Sequence, residues 1–184
     1  SIEESLNSCS MIVTKTITAD SNLQQLVDEI NAASWDTANE MHPFDIISLQ
    51  TYLRHDGTVF VACHELVDRT RTLLGIASAR LEVKPYASGR WLYVDEIDVC
   101  ANQRRKGAGR AMMKELLAIA RQAGCAQVWL ATEPDNEAAN ALYCSLDPHD
   151  VEQVVGYTYD LQSSLGGSSS AVADTRPTRP GRAA

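Results

Sequence analysis

Residues 93–113 read YVDEIDVCANQRRKGAGRAMM, and the predicted fold rests mainly on these residues. It changes from a β-rich segment to a short polar turn, then to a basic loop that contains glycine, and finally to a helix. The helix is indicated by apolar residues at helical spacing, namely Met112, Leu116, Ile119, Ala120 and Ala123. A strand that leads into a helix through such a loop points backbone N–H groups outward, and this arrangement binds phosphate.

Two familiar phosphate-binding motifs are absent from this loop. It lacks the G-x-x-x-x-G-K-[ST] of a P-loop, and Met112 occupies the third glycine position of a dinucleotide fingerprint. The pattern that is present, Arg104-x-x-Gly107-x-Gly109, resembles the [QR]-x-x-G-x-[GA] loop of the GNAT acyltransferase superfamily. A solvated basic helix start, in which the glycines only turn the chain, is the alternative.

The resemblance implies that this loop binds the pyrophosphate of acetyl-CoA. Glycines let the backbone approach the ligand closely, the helix start adds partial positive charge, and basic side chains add full charges. The residues expected to bind the cofactor here are Arg104, Arg105, Lys106, Gly107, Ala108, Gly109 and Arg110.

A second motif lies about 30 residues further on. Residues 136–143 read NEAANALY and resemble the N-x-x-A-x-x-L-Y signature of the last GNAT helix. The resemblance implies that Asn136 reaches the pantetheine arm, that Ala139 leaves room for the cofactor, and that Tyr143 protonates the departing thiolate. Tyr143 lies about two helical turns beyond Asn136, so both share a face. A half-buried core tyrosine is the alternative.

The acidic residues of the central strand are expected to carry the chemistry. Strict alternation puts Glu96 and Asp98 on one face with Leu92 and Val94, and Asp95 on the other, but a β-bulge would change these faces. Unpaired buried carboxylates are costly, so the acids must line a cavity or find partners. In the family, a carboxylate here accepts the amine proton. We predict Glu96 as the base, with Asp98 second and Asp95 third, and we expect at least one acid to have a structural role instead.

The implied reaction is direct transfer without a covalent enzyme intermediate. An ammonium ion is not a nucleophile, so a base must remove its proton, and a backbone N–H near Ile97 or Val99 would polarise the thioester carbonyl. Cys100 as an acyl carrier ranks lower, because no histidine is near in sequence and nothing suggests a lowered thiol pKa.

The order of elements predicts a mixed α/β fold. An antiparallel meander precedes a βαβ unit and a closing helix and strand, which matches the GNAT architecture with helices on both faces of the sheet. Ser21 and Gln24 form a plausible capping box for the first helix. Strands are expected over residues 11–18, 58–66, 72–83, 90–99, 126–133 and 151–161, and helices over 20–33, 45–53, from the glycine loop to residue 123, and over 134–146.

Composition suggests one domain with unstructured ends. We expect a flexible leader over residues 1–10, a single domain over 11–161, and a disordered tail over 162–184, because the tail is rich in Ser, Gly, Pro and Arg. The five cysteines are scattered without a metal-binding or disulfide pattern, so we expect no metal and a cytoplasmic location. The sequence contains no run of 18 apolar residues, so we expect no membrane-spanning helix.

The charge favours a small cationic substrate. The chain carries a formal charge of −8, which argues against nucleic acid as a partner and favours a cationic one. Without residues 162–184, which hold three arginines and one aspartate, the charge is about −10. No membrane partner is expected, and a homodimer is compatible with the sequence.

Within the superfamily, the sequence looks most like the aminoglycoside 3-N-acetyltransferases. The resemblance lies in residues 92–99, the glycine loop, and the stretches 141–143 and 157–160. The residues after Tyr143 depart from the usual turn of the family, and Asn136 fits the broad superfamily better than this subgroup. An enzyme acting on protein amines and a non-catalytic acetyl-CoA sensor are the alternatives. The candidate acceptor contacts are Asp36, Glu40, Asp95, Glu133 and Asp160.

Overall fold

The computed structural model describes residues 10–36, 41–86 and 89–161. Within these ranges the strands are Ser10–Ile17 (β1), Thr58–Val67 (β2), Thr70–Val83 (β3), Arg90–Val99 (β4) and Cys125–Trp129 (β5). The α-helices are Leu23–Ala32 (α1), Ile46–Arg54 (α2), Ala108–Gln122 (α3) and Glu137–Cys144 (α4), and a short 3₁₀ helix covers Ala101–Gln103. The leader to residue 9 and the tail from residue 162 lie outside the described residues, so their predicted disorder stays a prediction.

The strands form one mixed sheet in the order β1-β2-β3-β4-β5. Strands β1 to β4 pair with one another in antiparallel fashion, whereas β5 runs parallel to β4 because α3 crosses between them. The predicted mixed α/β fold is therefore confirmed.

Two buried clusters cover the two faces of the sheet. On one face, Met112 and Leu116 of α3 belong to the same cluster as Leu92 and Ile97 of β4. On the other face, α1 and α2 pack with Phe60 of β2 and with neighbouring residues of β2 and β3. Helices therefore lie on both faces, and α1 and α2 cover mainly the centre of the sheet.

The alternation of faces predicted for β4 is wrong, because the strand contains a β-bulge. Ser78 pairs with Glu96 and Ala79 pairs with Val94, so Asp95 is the extra residue. Val94 and Ile97 both belong to the α3 cluster, and Glu96 lies on the opposite face. The bulge thus places the three acids on the face of α2, separated from Leu92 and Val94, because the period of two is interrupted at Asp95.

Three local predictions need correction. The N-cap of α1 is Asn22, whose side chain accepts from the N–H of Gln25 at 3.3 Å, whereas the hydroxyl of Ser21 accepts from the N–H of Thr18. β5 ends at Trp129 instead of residue 133, because the chain leaves β4 there. The strand predicted over 151–161 is wrong: this segment is exposed and forms no strand, because it pairs with no strand of the described sheet, although Val155, Tyr157, Tyr159 and Leu161 alternate along it.

A buried histidine joins α1 to the β2–β3 hairpin. His64 is 5% exposed and lies 2.9 Å from Glu29 Oε2 through its Nε2. Arg71 Nη2 contacts Glu29 Oε1 at 2.6 Å. Burial lowers the pKa of His64 despite its carboxylate partner, and the hydrogen bonds from Arg71 and His64 lower the pKa of Glu29 against the opposing effect of burial. At neutral pH, this contact therefore joins a neutral imidazole to a carboxylate.

Candidate active site

The parallel strands β4 and β5 separate halfway along β4. Their pairing runs from Arg90 with Cys125 to Tyr93 with Trp129 and then stops, although β4 continues to Val99. The second half of β4 therefore borders a cleft where a neighbouring strand would otherwise lie.

Backbone amides of β4 face this cleft. The N–H of Cys100 donates to the carbonyl of Leu74 at 2.8 Å, so it points toward β3. Successive amides in a strand point to opposite sides, so the N–H groups of Val99 and Ile97 point into the cleft. These are the two residues expected to polarise a carbonyl group.

The loop between β4 and α3 has the geometry of an anion site. Gly107 is the N-cap of α3 with φ of 89°, and no side chain caps this helix start. Arg105 also has a positive φ, of 64°. The first amides of α3, at Ala108, Gly109 and Arg110, are thus available to an anion, and the start of the helix dipole adds to the attraction.

The basic side chains of the loop contact acidic or polar neighbours. Arg104 Nη2 lies 2.5 Å from Asp36 Oδ2, and Lys106 Nζ lies 2.5 Å from Glu65 Oε2. Arg110 Nη1 donates to the hydroxyl of Ser145 at 2.7 Å. The structure therefore places Asp36, which was expected to contact the acceptor, beside the glycine loop.

Buried polar atoms without hydrogen-bond partners lie on the two segments of the described chain that follow β4 and β5. They include Gln103 Oε1 beside the basic loop, and Thr132 Oγ1 and Glu133 Oε2 on the segment that follows β5. Buried polar atoms normally find partners, so these two segments suit a polar ligand. The uncapped helix start, the cleft-facing amides and these atoms together fit the pyrophosphate and pantetheine of CoA.

Helix α4 lies against the α3 side of the sheet. Asn136 stands at the helix start as expected, and its side-chain oxygen accepts from the N–H of Ala139 at 3.1 Å. Ala139 is fully buried, and its expected role of leaving room for the cofactor stays a prediction. Tyr143 is half-buried and packs against the α3 cluster.

A cavity of about 300 Å³ lies on the other face of β4, beneath α2. Glu96, which is exposed, and Asp98, which is 8% exposed, both line it. The other lining residues include His42, Asp45 and Tyr52, which sequence analysis did not propose as site residues. Asp45 also caps α2 by accepting from the N–H of Ser48 at 2.9 Å, and this hydrogen bonding lowers the pKa of Asp45. The cap preference of Asp before an apolar helix could have indicated its position.

The remaining predicted acceptor residues lie elsewhere. Asp95 is held by Arg80, with Nε 3.0 Å from Oδ2 and Nη2 3.0 Å from Oδ1, so it has the arginine-paired role expected of one acid. Asp160 is exposed in the segment after α4, and Glu40 lies outside the described residues.

Cys100 is unsuited to carry an acyl group. Its side chain is 1% exposed, its thiol donates to the carbonyl of Leu73 at 3.5 Å, and burial raises the pKa of the thiol to about 11. A buried thiol that stays protonated is a poor nucleophile. Across the described residues, no cluster of three or more His, Cys, Asp or Glu residues could hold a metal ion, and none of the helices is long and apolar enough to cross a membrane.

A splayed strand with an uncapped helix start on one side and carboxylates on the other is the arrangement that the sequence resemblance led us to expect. The acetyltransferase (GNAT) family model matches residues 24–146, and the chain belongs to this family. GNAT enzymes use acetyl-CoA as the acyl donor. No curated protein sequence matches the chain significantly.

Several solved structures share the fold. An aminoglycoside acetyltransferase from an uncultured soil metagenomic sample, in complex with sisomicin, is 18% identical with a TM-score of 0.67 over 82% of this chain and 96% of its own. The aminoglycoside N-acetyltransferase AAC(6')-Iy in complex with CoA is 13% identical with a TM-score of 0.61 over 84% and 98%. A Trypanosoma brucei acetyltransferase is 19% identical with a TM-score of 0.61 over 81% and 100%.

Proposed function

We propose that the protein transfers the acetyl group of acetyl-CoA to a primary amine of an aminoglycoside antibiotic, at the 3-amino group. The observation that carries this proposal is the position of Glu96 and Asp98, which line a cavity on one face of β4 while the neighbouring amides of the same strand face the cofactor cleft. The cavity lies on the face of β4 and the cleft lies along its edge. An amine in the cavity and a thioester in the cleft would therefore meet at the edge of the strand.

The proposed chemistry is direct transfer. Glu96 accepts a proton from the substrate ammonium, and the neutral nitrogen then attacks the thioester carbon. The N–H of Ile97 or Val99 polarises the thioester carbonyl, the carbon–nitrogen bond forms, and the carbon–sulfur bond breaks. The hydroxyl of Tyr143 donates its proton to the leaving sulfur, and the second proton that the nitrogen loses as the amide forms passes through solvent to the tyrosinate and restores Tyr143. Glu96 is the preferred base because it is exposed to incoming substrate, whereas Asp98 is buried and Asp95 is paired with Arg80.

Charge and shape support a cationic acceptor. Asp45, Glu96 and Asp98 place three acidic side chains around one cavity, and the whole chain is acidic, so a substrate with several ammonium groups is attracted. The sisomicin complex of a relative with the same fold also supports this substrate class.

The 3-amino position rests on the resemblance of the β4–α3 stretch to the 3-N-acetyltransferases. NMR of the acetylated product locates the new amide. Acetylation at another amine would correct the position and leave the substrate class intact. The proposed location is the cytoplasm, where acetyl-CoA is made.

We also propose that the chain forms a homodimer. β5 pairs with β4 alone in the described part of the chain, so its outer edge is open. Val155, Tyr157 and Tyr159 are 77–82% exposed in the segment after α4. Open strand edges and clustered exposed apolar side chains favour association.

The test is the release of free CoA thiol from acetyl-CoA with gentamicin, with a lysine-containing peptide, or with no acceptor. We expect release with gentamicin alone, and Glu96→Gln to lower kcat by about a hundredfold or more. Asp98→Asn is the matched variant, with a smaller expected effect. Release with the peptide alone would favour protein acetylation, and binding of acetyl-CoA without any release would favour a sensor. If Glu96→Gln keeps full kcat across pH while Asp98→Asn loses it, Asp98 is the base.

A further inference from the structure

Three aromatic side chains form a platform beside the acidic cavity. The rings of Trp91 and Tyr93 are stacked, with centroids 5.9 Å apart and an interplanar angle of 26°. Trp129, at the end of β5, lies with its ring centroid 5.9 Å from that of Tyr93. All three are only half-buried. We call Trp91, Tyr93 and Trp129 the aromatic platform.

The platform lies on the acceptor face of the sheet. Trp91 and Tyr93 alternate with Leu92 and Val94, whose side chains are buried in the cluster of α3, so the two rings face the opposite side. The apolar cluster of α1 and α2 includes no residue of the platform. Those helices therefore leave this part of the face uncovered.

The platform and the acids form one continuous strip along β4. Tyr93 and Asp95 are two positions apart on the same face, or roughly 7 Å. Asp95 is paired with Arg80, and Glu96, which lines the cavity, follows it. A ligand of several rings with its reacting amine at Glu96 would extend over the platform. The strip thus has one end suited to an ammonium group and one end suited to a ring.

A cation of the protein already occupies the platform. Lys84 Nζ lies 4.5 Å from the ring centroids of both Trp91 and Tyr93 and also donates a hydrogen bond to the hydroxyl of Tyr93. Rings that hold a lysine ammonium in this way present the negative π-face that attracts cations generally. The platform is therefore a formed cation site whose present occupant is a flexible side chain.

One polar atom of the platform has no partner. Trp91 Nε1 is buried and makes no hydrogen bond, whereas buried indole N–H groups usually find an acceptor. A hydroxyl group of a ligand that displaced Lys84 would supply one. This donor and the cation site are independent features that both suit a hydroxylated, amine-bearing ring.

We propose that the aromatic platform is a second acceptor subsite, which takes an amino-sugar ring distal to the reacting amine and exchanges Lys84 for a ligand ammonium. The proposal rests on the proposed function and adds the residues that select substrates with more than one ring. It assigns a specificity role to Trp91, Tyr93, Trp129 and Lys84.

The test compares sisomicin, which has several rings, with 2-deoxystreptamine, which has one. Trp91→Leu should raise KM for sisomicin about tenfold and leave kcat, the KM for acetyl-CoA and the KM for 2-deoxystreptamine unchanged. Lys84→Met removes the resident cation and keeps the rings, so it should lower the sisomicin KM about two- to fivefold. Lys114→Met on the exposed side of α3 makes the same charge change away from the strip and controls for net charge.

Calorimetric binding of sisomicin to the same variants separates the subsite from catalysis. The subsite is supported if Lys84→Met binds sisomicin more tightly than Lys114→Met does and Trp91→Leu binds it more weakly. This holds even if no acceptor is acetylated, a result that would refute the proposed function alone. Equal effects of Trp91→Leu on both acceptors, or sisomicin binding that neither platform variant changes, would overturn the subsite and leave the proposed function standing. Absence of sisomicin binding by the unaltered protein would overturn both.

Discussion

Replacing Gly107 by alanine tests the phosphate loop most sharply. Gly107 adopts φ of 89°, and an alanine in the left-handed region costs about 1–2 kcal/mol. A Cβ at Gly107 would meet only Ile12 Cδ1, at 3.9 Å, so the cost is conformational and not steric. The exposed loop can relax in the free protein, and CoA binding must then restore the original backbone. The affinity for CoA should therefore fall about five- to thirtyfold, the equivalent of 1–2 kcal/mol.

Gly124→Ala is the matched control at the other end of α3. Gly124 has φ of 68°, and a Cβ there would meet nothing within 4 Å, so the conformational strain is the same in kind. It should lower the thermal midpoint by roughly 2–8 °C and leave CoA binding unchanged. The assays are calorimetric titration with CoA and thermal unfolding of each variant. Affinities for CoA within twofold of each other in the two variants would refute the assignment of the diphosphate to this loop.

Three further predictions follow from contacts of the described residues. Asp36→Asn releases Arg104 from an exposed ion pair, so CoA should bind about two- to fivefold more tightly; a raised KM for the acceptor with unchanged CoA affinity would instead make Asp36 an acceptor contact. Burial lowers the pKa of His64, so the unfolded chain binds more protons than the folded one, and the free energy of unfolding should decrease as pH falls below about 6.5. In denaturant titrations at pH 7 and pH 5, His64→Gln should reduce this dependence of the unfolding free energy on pH. The same dependence in the variant and the unaltered protein would contradict the role of burial. Replacing both Tyr157 and Tyr159 by serine should convert a dimer to a monomer in light scattering, and a monomeric unaltered protein would exclude the dimer.

The β4–α3 unit could be predicted from sequence because its signals are local. The apolar period of α3, the glycines of the loop and the β-rich run of residues 90–99 each reflect the conformation of a few neighbouring residues. The bounds predicted for β4 agree with those observed. The parallel direction of β5 also follows from a local fact, since a crossover helix connects it to β4.

Features that depend on distant partners could not be predicted. The face of Asp95 depends on a bulge against β3, and its charge is balanced by Arg80 of that strand. Asp36 and Arg104 are 68 positions apart in the chain, so no local pattern indicated their ion pair. The cavity beneath α2 is equally non-local, because the packing of that helix on the sheet brings Asp45 near Glu96.

The extent of the last strands also depended on pairing. β5 ends where β4 diverges, although residues 130–133 continue a β-like sequence. The segment 151–161 has alternating apolar residues from Val155 to Leu161, but it pairs with no strand of the described sheet and is exposed. Strand propensity alone does not supply a partner for the ladder.

The proposed function requires the diphosphate of acetyl-CoA to lie at the start of α3, with the acyl carbon beside Glu96. A crystal structure of the CoA complex tests this directly. We expect diphosphate oxygens within hydrogen-bond distance of the amides of Ala108, Gly109 and Arg110, and the sulfur in the cleft between β4 and β5. A complex in which the diphosphate lies away from this helix start, or in which the sulfur lies outside the cleft, would contradict the proposed function.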